Sequence, residues 1–416
     1  MNSFKKEMMN LRNNAFLLFT GLSLFTACNS EEEKQEEINK AEPVIEQVRE
    51  EFAPDKRVAL FNVTGEETDG TYVVKGESNL PGAVETLRQR LRDSEVKFVD
   101  SVQMLPGHEL GGKTKALVRT SVANIRSNKG HSSELATQAT LGTPLNVLKH
   151  EGDWYLVQTP DNYIAWVDHG GITPMSEKEF TDWKAAEKVI FLKAFGLAYA
   201  SASEGAEIVS DVVAGDIFVL KGSKNGFFEV QYPDGRVGFL KQKEAEKYEK
   251  WLKSRDLSEE ELVATSKQLM GLPYLWGGTS AKGVDCSGFT KTIYFMNGMV
   301  IPRDASQQVH TGKLVDSTKN WDKLKRGDLL FFGTPATDST KERVVHVGMW
   351  IGDNKFIHSS GNVHISSMDK NAEDFDEFNN NRYLRTKRLV GQEDENLQLL
   401  SKRDFFSSIK DSLPKK

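Results

Sequence analysis

The stretch Leu272-Pro-Tyr-Leu-Trp-Gly-Gly-Thr-Ser-Ala-Lys-Gly-Val-Asp-Cys-Ser-Gly288 restricts the fold more than any other part of this chain. It leads from a glycine-rich loop into Cys286-Ser-Gly-Phe-Thr-Lys-Thr-Ile-Tyr-Phe-Met296, where apolar residues at 289, 293 and 296 have helical spacing. Cys286 stands where that helix starts, directly after Asp285. A thiol at a helix N-terminus meets unpaired N–H groups and the positive end of the dipole. Both lower its pKa and favour the reactive thiolate. The same N–H groups can face a developing oxyanion. The segment therefore predicts a nucleophilic Cys286 fixed to the start of a helix.

A nucleophile needs a base. Two of the eight histidines lie close together downstream in strand-like settings. Arg343-Val-Val-His-Val-Gly-Met-Trp-Ile351 is a β-branched, apolar run around His346, and Lys355-Phe-Ile-His-Ser-Ser360 carries His358. Joined through Gly352-Asp-Asn354, the two runs read as a hairpin with both imidazoles on one face. His346 is then the base and His358 its orienter, the nucleophile, base and third-group logic of a cysteine peptidase. A free cysteine also packs well in a core, but the Gly-Val-Asp-Cys-Ser-Gly setting argues for an accessible sulfur. Zinc is the rival use of Cys with His; the ligand-pair spacing of structural zinc sites is missing.

The blocks Pro273-Tyr-Leu-Trp-Gly-Gly278, Asp285-Cys-Ser-Gly-Phe289, Pro302-Arg-Asp-Ala-Ser-Gln307, Arg326-Gly-Asp-Leu-Leu-Phe-Phe332, His346-Val-Gly348 and Phe356-Ile-His-Ser-Ser360 follow one another in order. Together they resemble the NlpC family of cell-wall cysteine peptidases over roughly residues 255–391. The resemblance implies a papain-like α+β fold, with the cysteine on a helix packed on an antiparallel sheet that bears the histidines. It also implies cleavage of peptidoglycan stem peptides at the bond from γ-D-glutamate to a diamino acid, without metal or cofactor.

A chain of 416 residues, 38% hydrophobic and 27% charged, suggests three or four soluble globular domains. Residues 1–28 resemble a lipoprotein export signal: Lys5, Lys6 and Arg12 precede an apolar core, Ala15–Phe25, and Thr26-Ala27-Cys28 resembles a lipobox. Cys28 would carry a lipid anchor in the cell envelope, on the periplasmic face or the surface of the outer membrane. The alternative is a plain secretory signal with Cys28 incidental. Residues 29–39 read as an acidic tether and 40–112 as a small α+β domain. Residues 115–172 resemble a bacterial SH3-like barrel, strongest in Gly152-Asp-Trp-Tyr-Leu-Val157 and Asp161-Asn-Tyr-Ile-Ala-Trp166. A weaker copy follows at 188–245, about 73 residues on, after a helical connector at 173–187. Residues 392–416 read as a polar tail. The expected architecture is multidomain: a papain-like α+β catalytic domain preceded by two SH3-like β-barrels and a small α+β domain.

In relatives with this layout the first barrel narrows the cleft, which receives the free amino group of an N-terminal L-Ala. An ammonium in a closed pocket needs carboxylate or hydroxyl partners. Asp285 and Ser287 match the family positions, and Asp304 is a further candidate. Ala305 stands where some relatives carry serine, with Ser306 next. From the barrel, Tyr163 and Glu134 are candidates, against ordinary packing or a solvated surface. The Cys286 N–H and the Tyr274 hydroxyl are the expected oxyanion donors, and Trp276 shapes the cleft wall. The expected partners are peptidoglycan-derived peptides and the membrane, through Cys28, with the chain a monomer. A net charge of -6 gives no reason to expect nucleic acid. The alternatives are a hydrolase of intact wall and a non-catalytic wall-binding lipoprotein.

Overall fold

Two helices laid on a three-stranded sheet open the part of the chain described by a computed structural model, residues 39–407. The export signal, Cys28 and all of the acidic tether but its last residue lie outside the described residues. Helices Glu42–Phe52 and Pro81–Asp93 turn Val44, Ile45, Val48, Val84, Leu87 and Leu91 onto Phe61, Val63, Tyr72 and Val74 of the sheet. Strands Phe61–Thr68 and Thr71–Ser78 form an antiparallel hairpin. Strand Phe98–Met104 runs parallel to the second because Pro81–Asp93 serves as its crossover. Apolar patterning predicts a strand from Arg57. In the structure it begins only at Phe61, because the Asp55 carbonyl accepts from the N–H groups of Val58 and Ala59 and turns the chain. Arg57 is thereby left in a loop.

Two seven-stranded sheets follow. Numbered along the chain, the strands of the first run 7-1-4-5-6-2-3 from edge to edge, and those of the second have the same order. Each strand of the second starts 73 residues after its counterpart, as Lys115 and Lys188, Trp154 and Phe227, or Ile172 and Ala245 illustrate. The first sheet extends past residue 172, since strand Ile172–Met175 pairs with Lys115–Val118. The connector therefore reduces to helix Glu177–Ala185, opened by a capping box between Ser176 and Glu179.

The last unit sets helix Cys286–Met296 against a six-stranded antiparallel sheet. Its strands lie in the order Lys313–Asp316, Tyr383–Arg388, Leu329–Thr334, Arg343–Gly352, Lys355–Ser360, Asn362–Ser367. Phe289 and Ile293 of the helix meet Phe331, Val347, Met349 and Ile357 of the sheet, all fully buried. Burying such side chains contributes roughly 1.5–3 kcal/mol each, which fixes the helix start relative to the histidine strands. Asp353 and Asn354 both take positive φ, 53° and 54°, in the hairpin turn between those strands.

Residues 392–407 are not the polar tail that their composition suggests. Strand Gln398–Leu399 pairs with Met299–Val300, and Leu397, Leu400 and Phe406 are buried. Phe406 packs against Tyr248 and Phe295. A few apolar residues in a polar segment suffice to dock it.

The units are tied together around the nucleophile. Leu60 and Leu105, flanking the N-terminal sheet, pack on Leu148, Leu156, Ile164 and Trp166 of the first seven-stranded sheet. Gln138 of that sheet accepts from Thr279 N at 3.1 Å and Ser280 Oγ at 2.9 Å. These residues belong to the small hairpin Thr279–Val284 that leads into Cys286. At the equivalent position of the second sheet, Asp211 pairs with Lys282 of the same hairpin at 2.6 Å.

Candidate active site

Asp285 caps helix Cys286–Met296, accepting from Gly288 N at 2.7 Å. No residue larger than glycine fits at 288, where a Cβ would stand 1.9 Å from the Gly278 carbonyl oxygen. The Asp285 carboxylate also accepts from Gly277 N, Ser287 Oγ and, through both oxygens, the Arg303 guanidinium. Arg303 is 1% exposed and also donates to Ser287 Oγ and Thr137 Oγ1. Removing one partner from such a buried pair costs about 3–5 kcal/mol. Asp285 and Ser287 are thus occupied in holding the nucleophile's helix. The sequence block contains Arg303, but nothing local marks it as the counter-ion of Asp285.

Cys286 is 7% exposed and lines the floor of a cleft of about 540 Å³. The backbone N–H groups of Val347 and Ser287 point to its sulfur. Val347 follows His346, so the sulfur faces the histidine strand. His346 Nε2 lies 2.8 Å from His358 Nδ1, and His358 Nε2 lies 3.1 Å from Ser366 Oγ. Asp376 Oδ2 is 3.9 Å from His358 Nε2. The structure thus sets the Cys286 sulfur against the strand that carries His346, joins His346 to His358, and adds Ser366 and Asp376, which sequence reading misses.

Electrostatics depart from the sequence expectation. The Cys286 thiol is pushed up to about 12, first by burial and then by the Asp285 charge; the N–H groups of Val347 and Ser287 and the Arg303 charge pull the other way. Burial also holds His346 well below its ordinary value and His358 at about 3. In the free protein burial thus favours the uncharged forms of both the thiol and the imidazole, against the thiolate that the helix start favours. The carboxylate that caps the helix offsets the positive helix end that would have lowered the thiol.

The cleft walls come from several units. Tyr274 lines it, and burial, followed by a Cys286 thiolate once formed and the Asp285 charge, raises its hydroxyl above the ordinary tyrosine range. Trp276, 63% exposed, donates from Nε1 to Glu134 Oε1 at 2.6 Å across the junction with the first sheet. Gly277 permits that approach: its φ is 79°, and a Cβ there would meet the Leu135 carbonyl at 2.2 Å. At the opposite wall Tyr163 donates to Asp304 Oδ2 at 3.2 Å. Arg57 of the N-terminal unit, absent from the sequence candidates, donates to the same oxygen at 2.7 Å. Ala305 and Ser306 line the cleft beside them.

Residues 271–375 match the NlpC/P60 family and residues 121–173 the bacterial SH3 domain. The chain is 34% identical over 237 residues to a gamma-D-glutamyl-L-lysine dipeptidyl-peptidase of Bacillus cereus, covering 55% of this chain and 68% of that protein. It is 32% identical over 228 residues to the enzyme of the same name from Bacillus subtilis, covering 54% of this chain and 72% of the relative. A crystal structure of an NlpC/P60 family protein from Bacillus cereus superposes with a TM-score of 0.55 at 29% identity, covering 66% of this chain and 99% of that one.

Proposed function

Since the chain belongs to the NlpC/P60 family, we propose that it is a cysteine endopeptidase hydrolysing the γ-D-glutamyl–diamino acid bond of stem peptides whose N-terminal L-Ala is free. The observation that carries this reading is that Cys286, whose sulfur receives the Val347 N–H on the strand of the His346–His358 pair, lines a cleft walled by the first seven-stranded sheet.

For His346 to act as base, its Nδ1 must be unprotonated. Its Nε2–H then donates to His358 Nδ1, and His358 Nε2–H donates to Ser366 Oγ. Sγ of Cys286 bonds to the scissile carbonyl carbon while its proton passes to His346. The carbonyl π electrons move to oxygen, and the Cys286 N–H and the Tyr274 hydroxyl receive the oxyanion. Collapse of this intermediate breaks the C–N bond, and His346 protonates the leaving amine. Water, deprotonated by His346, then releases the thioester and restores the thiol. Asp376 supports the transient imidazolium through His358. Asp304 and the Tyr163 hydroxyl hold the substrate ammonium, Glu134 adds negative charge at the rim, and Trp276 flanks the chain.

The test is hydrolysis of L-Ala-γ-D-Glu-diamino acid peptide and of the same peptide attached to muramic acid. Release of L-Ala-D-Glu from the free peptide by the native protein, and none by Cys286→Ala of equal thermal midpoint, is expected. Undiminished hydrolysis by Cys286→Ala removes the assigned nucleophile. Equal turnover of the attached peptide favours a hydrolase of intact wall.

A further inference from the structure

The amine end of the cleft is finished by a residue from outside both the peptidase unit and the SH3 domain. Arg57 sits in the loop between helix Glu42–Phe52 and strand Phe61–Thr68. Its Nε and Nη2 donate to the two oxygens of Asp55 at 2.8 and 2.7 Å. Its Nη1 donates to Asp304 Oδ2 at 2.7 Å and Ser306 Oγ at 3.0 Å. Asp55 in turn accepts from Gln307 Nε2 at 2.8 Å. The Asp55–Arg57 pair therefore straddles the Asp304–Gln307 turn. The loop is anchored from behind, where Ile164 N donates to the Arg57 carbonyl at 2.7 Å, beside Tyr163. Arg57 and Cys286 line the same cleft.

We propose that Arg57 seals the amine end of the cleft and thereby makes the N-terminal unit a specificity element that admits only peptides with an unsubstituted first residue. This rests on the functional reading given above. Two physical effects act at this end: Arg57 supplies a wall, and the carboxylates, which outnumber the guanidiniums even with Arg57 counted, supply the charge. The guanidinium is clamped by a planar fork to Asp55, so it stands as a wall where an acyl group beyond the substrate nitrogen would have to pass. The charge count at this end also favours an ammonium. The carboxylates Asp55, Asp285 and Asp304 outnumber the guanidiniums Arg57 and Arg303 by one. An ammonium balances that surplus; the neutral amide of a substituted peptide does not. Arg57 touches no reacting atom, so it is a specificity residue and not a catalytic one.

The experiment compares kcat/KM for L-Ala-γ-D-Glu-diamino acid peptide and its N-acetyl derivative in the full chain, in Arg57→Ala and in Arg57→Gln. The native enzyme should strongly prefer the free amine. Arg57→Ala should raise the acetyl-to-free ratio by about tenfold or more. Arg57→Gln keeps the aliphatic stem and an amide at its end, and so part of the wall; it should move the ratio in the same direction by less. A selective native enzyme whose ratio is unchanged in both variants overturns the inference alone. A native enzyme that cleaves neither peptide overturns the functional reading and this inference with it.

Discussion

Cys286 is reactive in spite of its resting protonation state. Its thiol is pushed up to about 12 by burial and by the Asp285 charge, so the thiolate has to form as substrate arrives. Alkylation of the free enzyme by iodoacetamide should therefore be slow at pH 7 and accelerate roughly tenfold per pH unit through pH 10, because the thiolate fraction rises that way below the pKa. A rate already level at pH 7 would mean a preformed ion pair. This is a point where sequence reasoning and structure part. The helix-start position of the cysteine was legible in Asp285-Cys-Ser-Gly288, but its charge environment was not. Arg303 and Val347 act on it from separate segments. Arg57 was invisible for the same reason: its partner Asp304 is 247 residues away in the chain, and no local pattern encodes such a meeting.

The histidine hairpin, Arg343–Gly352 with Lys355–Ser360, holds two imidazoles neutral in a dry setting, and that has a cost in acid. An unfolded chain protonates His358 near its ordinary 6.5, the folded chain only near 3. Between those values the unfolded state binds the extra proton, so stability falls as the pH drops through this window. His346, also held low by burial, acts in the same direction. The denaturant midpoint should decline from pH 7 to pH 4.5, and His358→Gln should flatten that decline. An identical slope in the variant would show that other groups carry it. Elements of this kind were the most readable part of the chain, because alternating β-branched residues and the Asp353-Asn354 turn specify the pairing locally. The segment after residue 392 was the least readable. Phe406 finds Tyr248 and Phe295 only in three dimensions, yet losing such a buried phenylalanine costs about 3 kcal/mol or more.

At the scale of the whole molecule, the cleft is a joint product of several units, whose apolar clusters run into one another. Gln138 bridges the first sheet to the peptidase unit through Thr279 and Ser280. Replacing Gln138 by Ala removes those side-chain contacts while the backbone bonds of residue 138 to Thr279 Oγ1 persist. The cleft wall should then loosen, lowering kcat/KM for the free peptide roughly tenfold, mostly through KM, since misplacement by an ångström is enough to do this. A Gln138→Ala enzyme with native kinetics would show that the wall is positioned by other contacts. The repeat of strand order was legible as a spacing of about 73 residues, but what each copy grips was not. Gln138 and Asp211 occupy matching places in the two sheets; Gln138 holds the first arm of the hairpin Thr279–Val284 and Asp211 holds Lys282 in its turn. The duplicated architecture works as a two-jawed vise on the last few residues before the sulfur, so a twist of either jaw travels directly to the reactive centre. Selection on one copy cannot then be independent of the other: drift in the second would also be felt as a change in turnover.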